Sequence, residues 1–232
     1  AYGTGLARVF TDQCRHLGLT VSTSVALDAD QDVAPLVQSL QTDPPDLVYF
    51  GGNTQNGAGD LLRAMRDAKI KSLFMGPDGI RESAFIDEAG LGAEGAYASL
   101  GAMPVGGLPP LAKEWFDRYR QTYQSDPEPY TLYAYEATRV ILHGIEQAGV
   151  KDRKAIRDAI MATRDFDGVL GRWSFTSEGD TTIRTFAGYQ VHNHHFEFRR
   201  MLEPEGFRPL PRDRSVASLD EGEKGTRWRG SR

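Results

Sequence analysis

The chain has 232 residues, 40% of them hydrophobic and 25% charged, which is enough for one large domain or two small ones with a real core. Its formal net charge of -5 leaves no global basic footprint for nucleic acid, and its single cysteine, Cys14, excludes an intrachain disulfide and a cysteine-based metal cluster. No apolar run approaches the ~20 residues of a membrane helix, and no signal-peptide hydrophobic region stands at the start.

In chain order, Leu6, Val9, Phe10, Cys14 and Leu17 recur at helical spacing, with Gly18 as the stop. Thr20–Leu27 alternates as a strand, and Val33, Leu36, Val37 and Leu40 mark a second helix ended before Pro44 and Pro45. The stretch from Asp46 to Gly79 organises the chain. Its apolar runs Leu47–Phe50 and Leu73–Met75 each end in a glycine-bearing loop, and Leu61, Leu62, Met65 and Ala68 between them fit a helix. Strand, helix and strand in this order predict a βαβ unit with parallel neighbours. Ligands in such sheets sit beyond the carboxyl ends of the strands, so Asn53, Thr54, Gln55, Asn56 and Asp78 are expected on one rim. Glu82–Ala89 reads as a short helix and Gly95–Leu100 as another strand.

After Pro104 three helices follow without a strand between them: Pro109–Gln124, Pro129–Ala148 and Asp152–Thr163. Arg172–Phe175, Thr185–Val191 and Phe196–Arg200 read as strands, the last two as a hairpin around His192–His195. Residues 199–232 are polar, mixed in charge and without periodicity, as in a surface wrap or a disordered end.

Five motifs fall in one order: Tyr2-Gly3-x-Gly5-Leu6, Val48-Tyr49-Phe50-Gly51-Gly52, Phe74-Met75-Gly76-Pro77-Asp78-Gly79, Ala93-Glu94-Gly95 and Gly171-x-Trp173-x-Phe175-x-x-x-Gly179-Asp180. Together they resemble the periplasmic leucine/isoleucine/valine-binding proteins, the amino-acid-binding subunits of ABC transporters, over about residues 1–198. That resemblance implies an α/β type I periplasmic-binding-protein fold, a parallel sheet with flanking helices, here incomplete. It assigns residues 1–102 and 171–198 to the second ligand-binding lobe and 103–170 to the helical part of the first, leaving 199–232 as the tail. It also implies that most of the first lobe's sheet and the opening strand of the second are not in this chain. Apolar surface on Trp115, Phe116, Tyr119, Val140 and Ile141 is then expected to be exposed, so that the chain self-associates or needs the missing N-terminal segment.

By resemblance, Asp78 pairs with the α-ammonium of the ligand, a charge-assisted bond suited to a closing cleft. Pro-Asp-Gly is also simply a good turn, and the residues alone permit either role. Tyr2 matches a tyrosine lining the family's cleft, and Tyr130 matches a position near the ligand from the first lobe. Asn53 falls where several relatives carry a tyrosine against the ligand, a departure that points to a larger or more polar ligand than leucine. Thr54 joins the candidate ligand-binding set, with helix capping as its other role, shared by Asn56. His192 and His194 could suit a metal if extended, but they lack acidic or cysteine partners at ligand spacing other than Glu197, so a turn with surface histidines is expected.

The function implied by the resemblance is capture of an amino acid or similar small carboxylate for an ABC importer. The ABC permease subunits are the partners, no cofactor or metal is needed, and the location is periplasmic or extracellular. A ligand-sensing domain of a receptor or regulator would use the same lobes. An α/β enzyme is the third reading. No Gly-x-Gly-x-x-Gly after a strand, P-loop or Gly-x-Ser-x-Gly elbow supports it, and neither does any paired nucleophile and base.

Overall fold

A computed structural model of the chain describes residues 2–27, 31–101 and 107–202. It divides into two units, Ala1–Leu100 with Gly188–Arg232, and Gly101–Ala187.

In the first unit a five-stranded sheet runs in the order β1-β2-β3-β6-β7, with β1 Leu47–Tyr49, β2 Leu73–Gly76, β3 Tyr97–Leu100, β6 Phe186–His192 and β7 His195–Leu202. β1 and β2 are parallel, with Leu47 opposite Leu73 and Tyr49 opposite Met75, and β2 and β3 are parallel as well. The βαβ unit read from the sequence is therefore present. Its helix, α3 (Ala58–Asp67), buries Ala58, Leu61, Leu62 and Met65, a stripe of helical spacing. Asp60 in its first turn complements the helix dipole. Around this stripe the rings of Phe50, Phe74, Phe85 and Phe196 form a continuous row, with centroids 6.2, 6.1 and 6.0 Å apart. Phe74 and Phe85 are fully buried, and each contributes about 1.5–3 kcal/mol by burial.

Helix α1 spans Tyr2–His16, α2 Ala34–Thr42 and α4 Ser83–Ala89. Gly18 closes α1 in the left-handed conformation, with φ +72°, as the stop signal predicts. The turn between β6 and β7 is Asn193–His194, both at positive φ, the geometry that a two-residue hairpin requires.

Thr20–Leu27 differs from its sequence reading. The pattern predicts a strand, but these residues join no ladder. Alternation records which side chains can share a face; it does not supply a neighbouring strand to bond with. β7 also runs on to Leu202, taking in Arg199 and Arg200, and the rest of the polar tail lies outside the described residues.

The second unit holds α5 (Pro110–Tyr123), α6 (Pro129–Ala148), α7 (Arg153–Met161) and a two-stranded antiparallel sheet of β4 (Phe166–Gly168) and β5 (Gly171–Trp173). α7 begins at Asp152, whose carboxylate accepts from the Ala155 N–H at 2.8 Å. The core is Leu108, Ala112, Trp115, Leu132 and Val169, with Phe116, Tyr119, Tyr135 and Leu170 packed against it. This corrects the expected exposed surface. Trp115 is buried and Phe116 and Tyr119 half-buried, because α5 and α6 turn their aromatic stripes onto each other and onto Val169; Val140 is buried as well. Ile141 is exposed as expected, and Leu142 and Ile145 extend the same face of α6.

One polar residue anchors this unit. Glu136 of α6 is 2% exposed. Its carboxylate accepts from the Val169 N–H at 3.0 Å, the Leu170 N–H at 3.3 Å and the Trp173 indole N–H at 2.9 Å, with Arg139 3.6 Å away. The β4–β5 turn is thereby hung from the middle of a helix.

Candidate functional site

The rim beyond β1 and β2 forms where both strands give way to tight turns. Past β1 come Gly51, Gly52 and a 3-10 turn at Thr54–Asn56; past β2 come Pro77 and a 3-10 turn at Asp78–Ile80. Leu47 and Tyr49 share one face of β1, while Val48 and Phe50 turn to the core.

Asp78 is half-buried at the start of its turn, and the Tyr2 hydroxyl donates to its Oδ1 at 3.0 Å. Tyr2 reaches it from the first turn of α1, which approaches the rim backbone to backbone. A side chain on Gly3 would meet the Gly51 carbonyl oxygen at 2.7 Å, and one on Gly51 would meet the Gly3 carbonyl oxygen at 2.8 Å. Two turns along, Phe10 stacks on Tyr49 with centroids 4.0 Å apart and planes 5° from parallel. The Tyr2 hydroxyl is pushed up to about 12 by burial, then by its hydrogen bond to Asp78 and by the charges of Asp78 and Tyr49. Burial, and after it the Asp78 charge, also pushes Tyr49 up. Both phenols are thus held neutral beside a carboxylate.

Asn53 and Asn56 face each other across the first turn. Asn56 Oδ1 accepts from the Asn53 N–H at 3.2 Å, and the Asn56 N–H is taken by the Asn53 backbone carbonyl at 3.0 Å. The two residues pair as a capping box, with the buried Asn53 carboxamide oxygen turned inward to the Asn56 N–H. Thr54 is 1% exposed, and its hydroxyl donates to the Gly79 carbonyl at 3.3 Å. Gln55 reaches over to Glu82 at 3.1 Å.

The structure therefore brings Tyr2, Asn53, Thr54 and Asp78 to one rim. Tyr130 belongs to the other unit, exposed on α6 with its ring centroid 6.4 Å from that of Tyr133. His192 lies 3.0 Å from Glu94, and His194 sits in the hairpin turn. No group of three or more His, Cys, Asp or Glu residues able to hold a metal occurs among the described residues. Sequence reasoning passed over Tyr49, although the alternation of β1 puts it on the face opposite the core.

Chemically, this rim offers a carboxylate framed by two neutral phenols and their ring faces. Such a group accepts hydrogen bonds from a cation, an ammonium above all, and the rings add apolar and cation–π contact.

Comparison with known proteins agrees with this fold. A family described as periplasmic binding protein matches residues 1–195. A leucine-, isoleucine-, valine-, threonine- and alanine-binding protein of Pseudomonas aeruginosa is 31% identical over 192 residues, covering 82% of this chain and 50% of that protein. Among solved structures, a leucine-binding protein from Thermotoga maritima superposes with a TM-score of 0.80 at 26% identity, over 88% of this chain and 57% of that one. A branched-chain amino-acid transporter substrate-binding protein from Streptococcus pneumoniae, in complex with isoleucine, gives 0.68 at 25% identity over 78% and 51%. The chain spans about half the length of the curated relatives it matches.

Proposed function

Because the chain belongs to the periplasmic binding protein family, we propose that it is part of a solute-binding protein that captures an amino acid or similar small carboxylate for an ABC importer. Its ligand is taken up in the periplasm or outside the cell and handed to the permease subunits, with no catalytic step. The observation that carries this reading is the Tyr2–Asp78 pair at the carboxyl ends of parallel strands. Asp78 is the acceptor for the ligand's ammonium, and Tyr2 and Asn53 are neighbouring ligand groups. Tyr130 joins the candidate ligand-binding residues by resemblance alone.

The Pseudomonas relative is named for leucine, isoleucine, valine, threonine and alanine, so these are the first ligands to test. Asn53 argues for a more polar or larger ligand than leucine. An amide stands there where several relatives carry a tyrosine, and it offers donors and an acceptor in place of a broad apolar face.

The test is Asp78→Asn in the intact protein, with affinity read by calorimetry. The expected loss for an amino acid is about 2–5 kcal/mol, the cost of removing one partner of a desolvated charge pair. An unchanged affinity would leave Asp78 as a turn residue and overturn the assignment.

A further inference from the structure

The rim holds its aspartate through a device that spans both loops. Thr54 is buried, so its hydroxyl has no role toward solvent, and it is committed to the Gly79 carbonyl at 3.3 Å. Gly79 immediately follows Asp78, and the turn they share is closed by hydrogen bonds from the Ile80 N–H to Pro77 and from the Arg81 N–H to Asp78, at 3.2 and 2.9 Å. On its other side Gly79 is wedged against the neighbouring loop. A side chain there would meet Asn53 Cβ at 2.8 Å, Asn53 Cα at 3.1 Å and the Gly52 carbonyl oxygen at 3.2 Å. Thr54 is itself fixed by its turn, in which its carbonyl accepts from the Gly57 N–H at 2.9 Å. One loop thus grips the other by a directional bond and a steric stop, both at the residue next to the carboxylate.

We propose that Thr54 is a positioning residue, which sets the orientation of the Asp78 carboxylate by anchoring the Gly79 peptide. Recognition groups must be held closely by their supporting residues to be effective, and a rotated 79–80 peptide would pull the Ile80 N–H off the Pro77 carbonyl and so open the turn that carries Asp78. The inference rests on the reading of Asp78 as the ammonium site.

The experiment compares Thr54→Val, which keeps the shape and removes the donor, with Thr54→Ser, which keeps the donor and removes a methyl. Two readouts are taken on the intact protein: leucine affinity by calorimetry, and the Tyr2 titration midpoint by NMR of labelled tyrosine, assigned with Tyr2→Phe. Thr54→Val is expected to weaken leucine about tenfold, the scale of one lost hydrogen bond, and to move the Tyr2 midpoint down toward an ordinary tyrosine. Thr54→Ser is expected to restore both. A Tyr2 midpoint unmoved in Thr54→Val overturns the positioning role, whatever leucine does. A midpoint that moves equally in both variants overturns it too, as the mark of general loosening. If wild-type protein ignores leucine while the midpoint moves in Thr54→Val and returns in Thr54→Ser, the positioning role stands, and it is the choice of leucine that fails.

Discussion

Asp78 and Glu136 are carboxylates in different units, and the fold treats them oppositely. Glu136 is sealed in, with two backbone N–H groups and an indole N–H as donors and a guanidinium nearby. Asp78 is half-buried and takes a phenol as donor beyond the carboxyl end of an interior strand. A buried carboxylate is tolerated only when saturated, and once saturated it has no capacity left for a ligand. A carboxylate meant to meet a ligand must stay reachable, and its stiffness then has to come from the backbone around it. On the proposed function, the contrast separates an acid that builds the fold from one that serves a site.

The comparison breaks most visibly at Glu136. Glu136→Ala strands the Val169, Leu170 and Trp173 donors and should cost about 3–5 kcal/mol in denaturant unfolding. Glu136→Gln keeps one oxygen acceptor and should fall between. Equal unfolding midpoints for wild type and Glu136→Ala would show the carboxylate to be idle.

A smaller effect is expected on α6. Ile141, Leu142 and Ile145 form an exposed apolar face, and this chain in isolation should associate with itself through it. Ile141→Glu combined with Leu142→Lys should lower hydrophobic-dye binding several-fold and shift light scattering toward the monomer. A wild-type chain that is monomeric and does not bind the dye would count against the proposal.

The smallest effect is at Tyr2. Its folded pKa, about 12, lies above the ordinary tyrosine value, so the neutral phenol is the form the fold favours. The stabilisation it brings is fully present below about pH 10 and is lost as pH rises through about 12. Ultraviolet difference titration of wild type against Tyr2→Phe should show a phenol ionising late. In Asp78→Asn the same phenol should ionise earlier, because the neighbouring charge has gone.

The parts of this picture that were legible in the sequence are those encoded by local periodicity. The stripe Leu61, Leu62 and Met65, the glycine-bearing loops and Gly18 each declare themselves within a few residues. β4 did not, because three residues, Phe166–Gly168, are too few to show a period, and their partner strand is what makes them a strand. Glu136 was in principle visible as the one acid between Leu132 and Val140 on the buried face of α6. The bond from Thr54 to Gly79 was not visible, since the two are 25 positions apart and no pattern joins them. Tyr2, Asn53 and Asp78 were placed on the rim by resemblance and by the rule for strand ends. Their mutual geometry is a property of the folded chain.

The bare backbone meeting of Gly3 with Gly51 acts as a machinist's datum, a pair of flat faces from which a part is measured. With no side chain between them, helix and loop have a single depth of seating. From that seat the Tyr2 ring, in the rotamer it adopts, brings its oxygen to Asp78. A methyl on either face would act as a shim. It would lift the whole rod of α1, and the error would show at the phenol tip and again at the Phe10–Tyr49 stack farther along the rod.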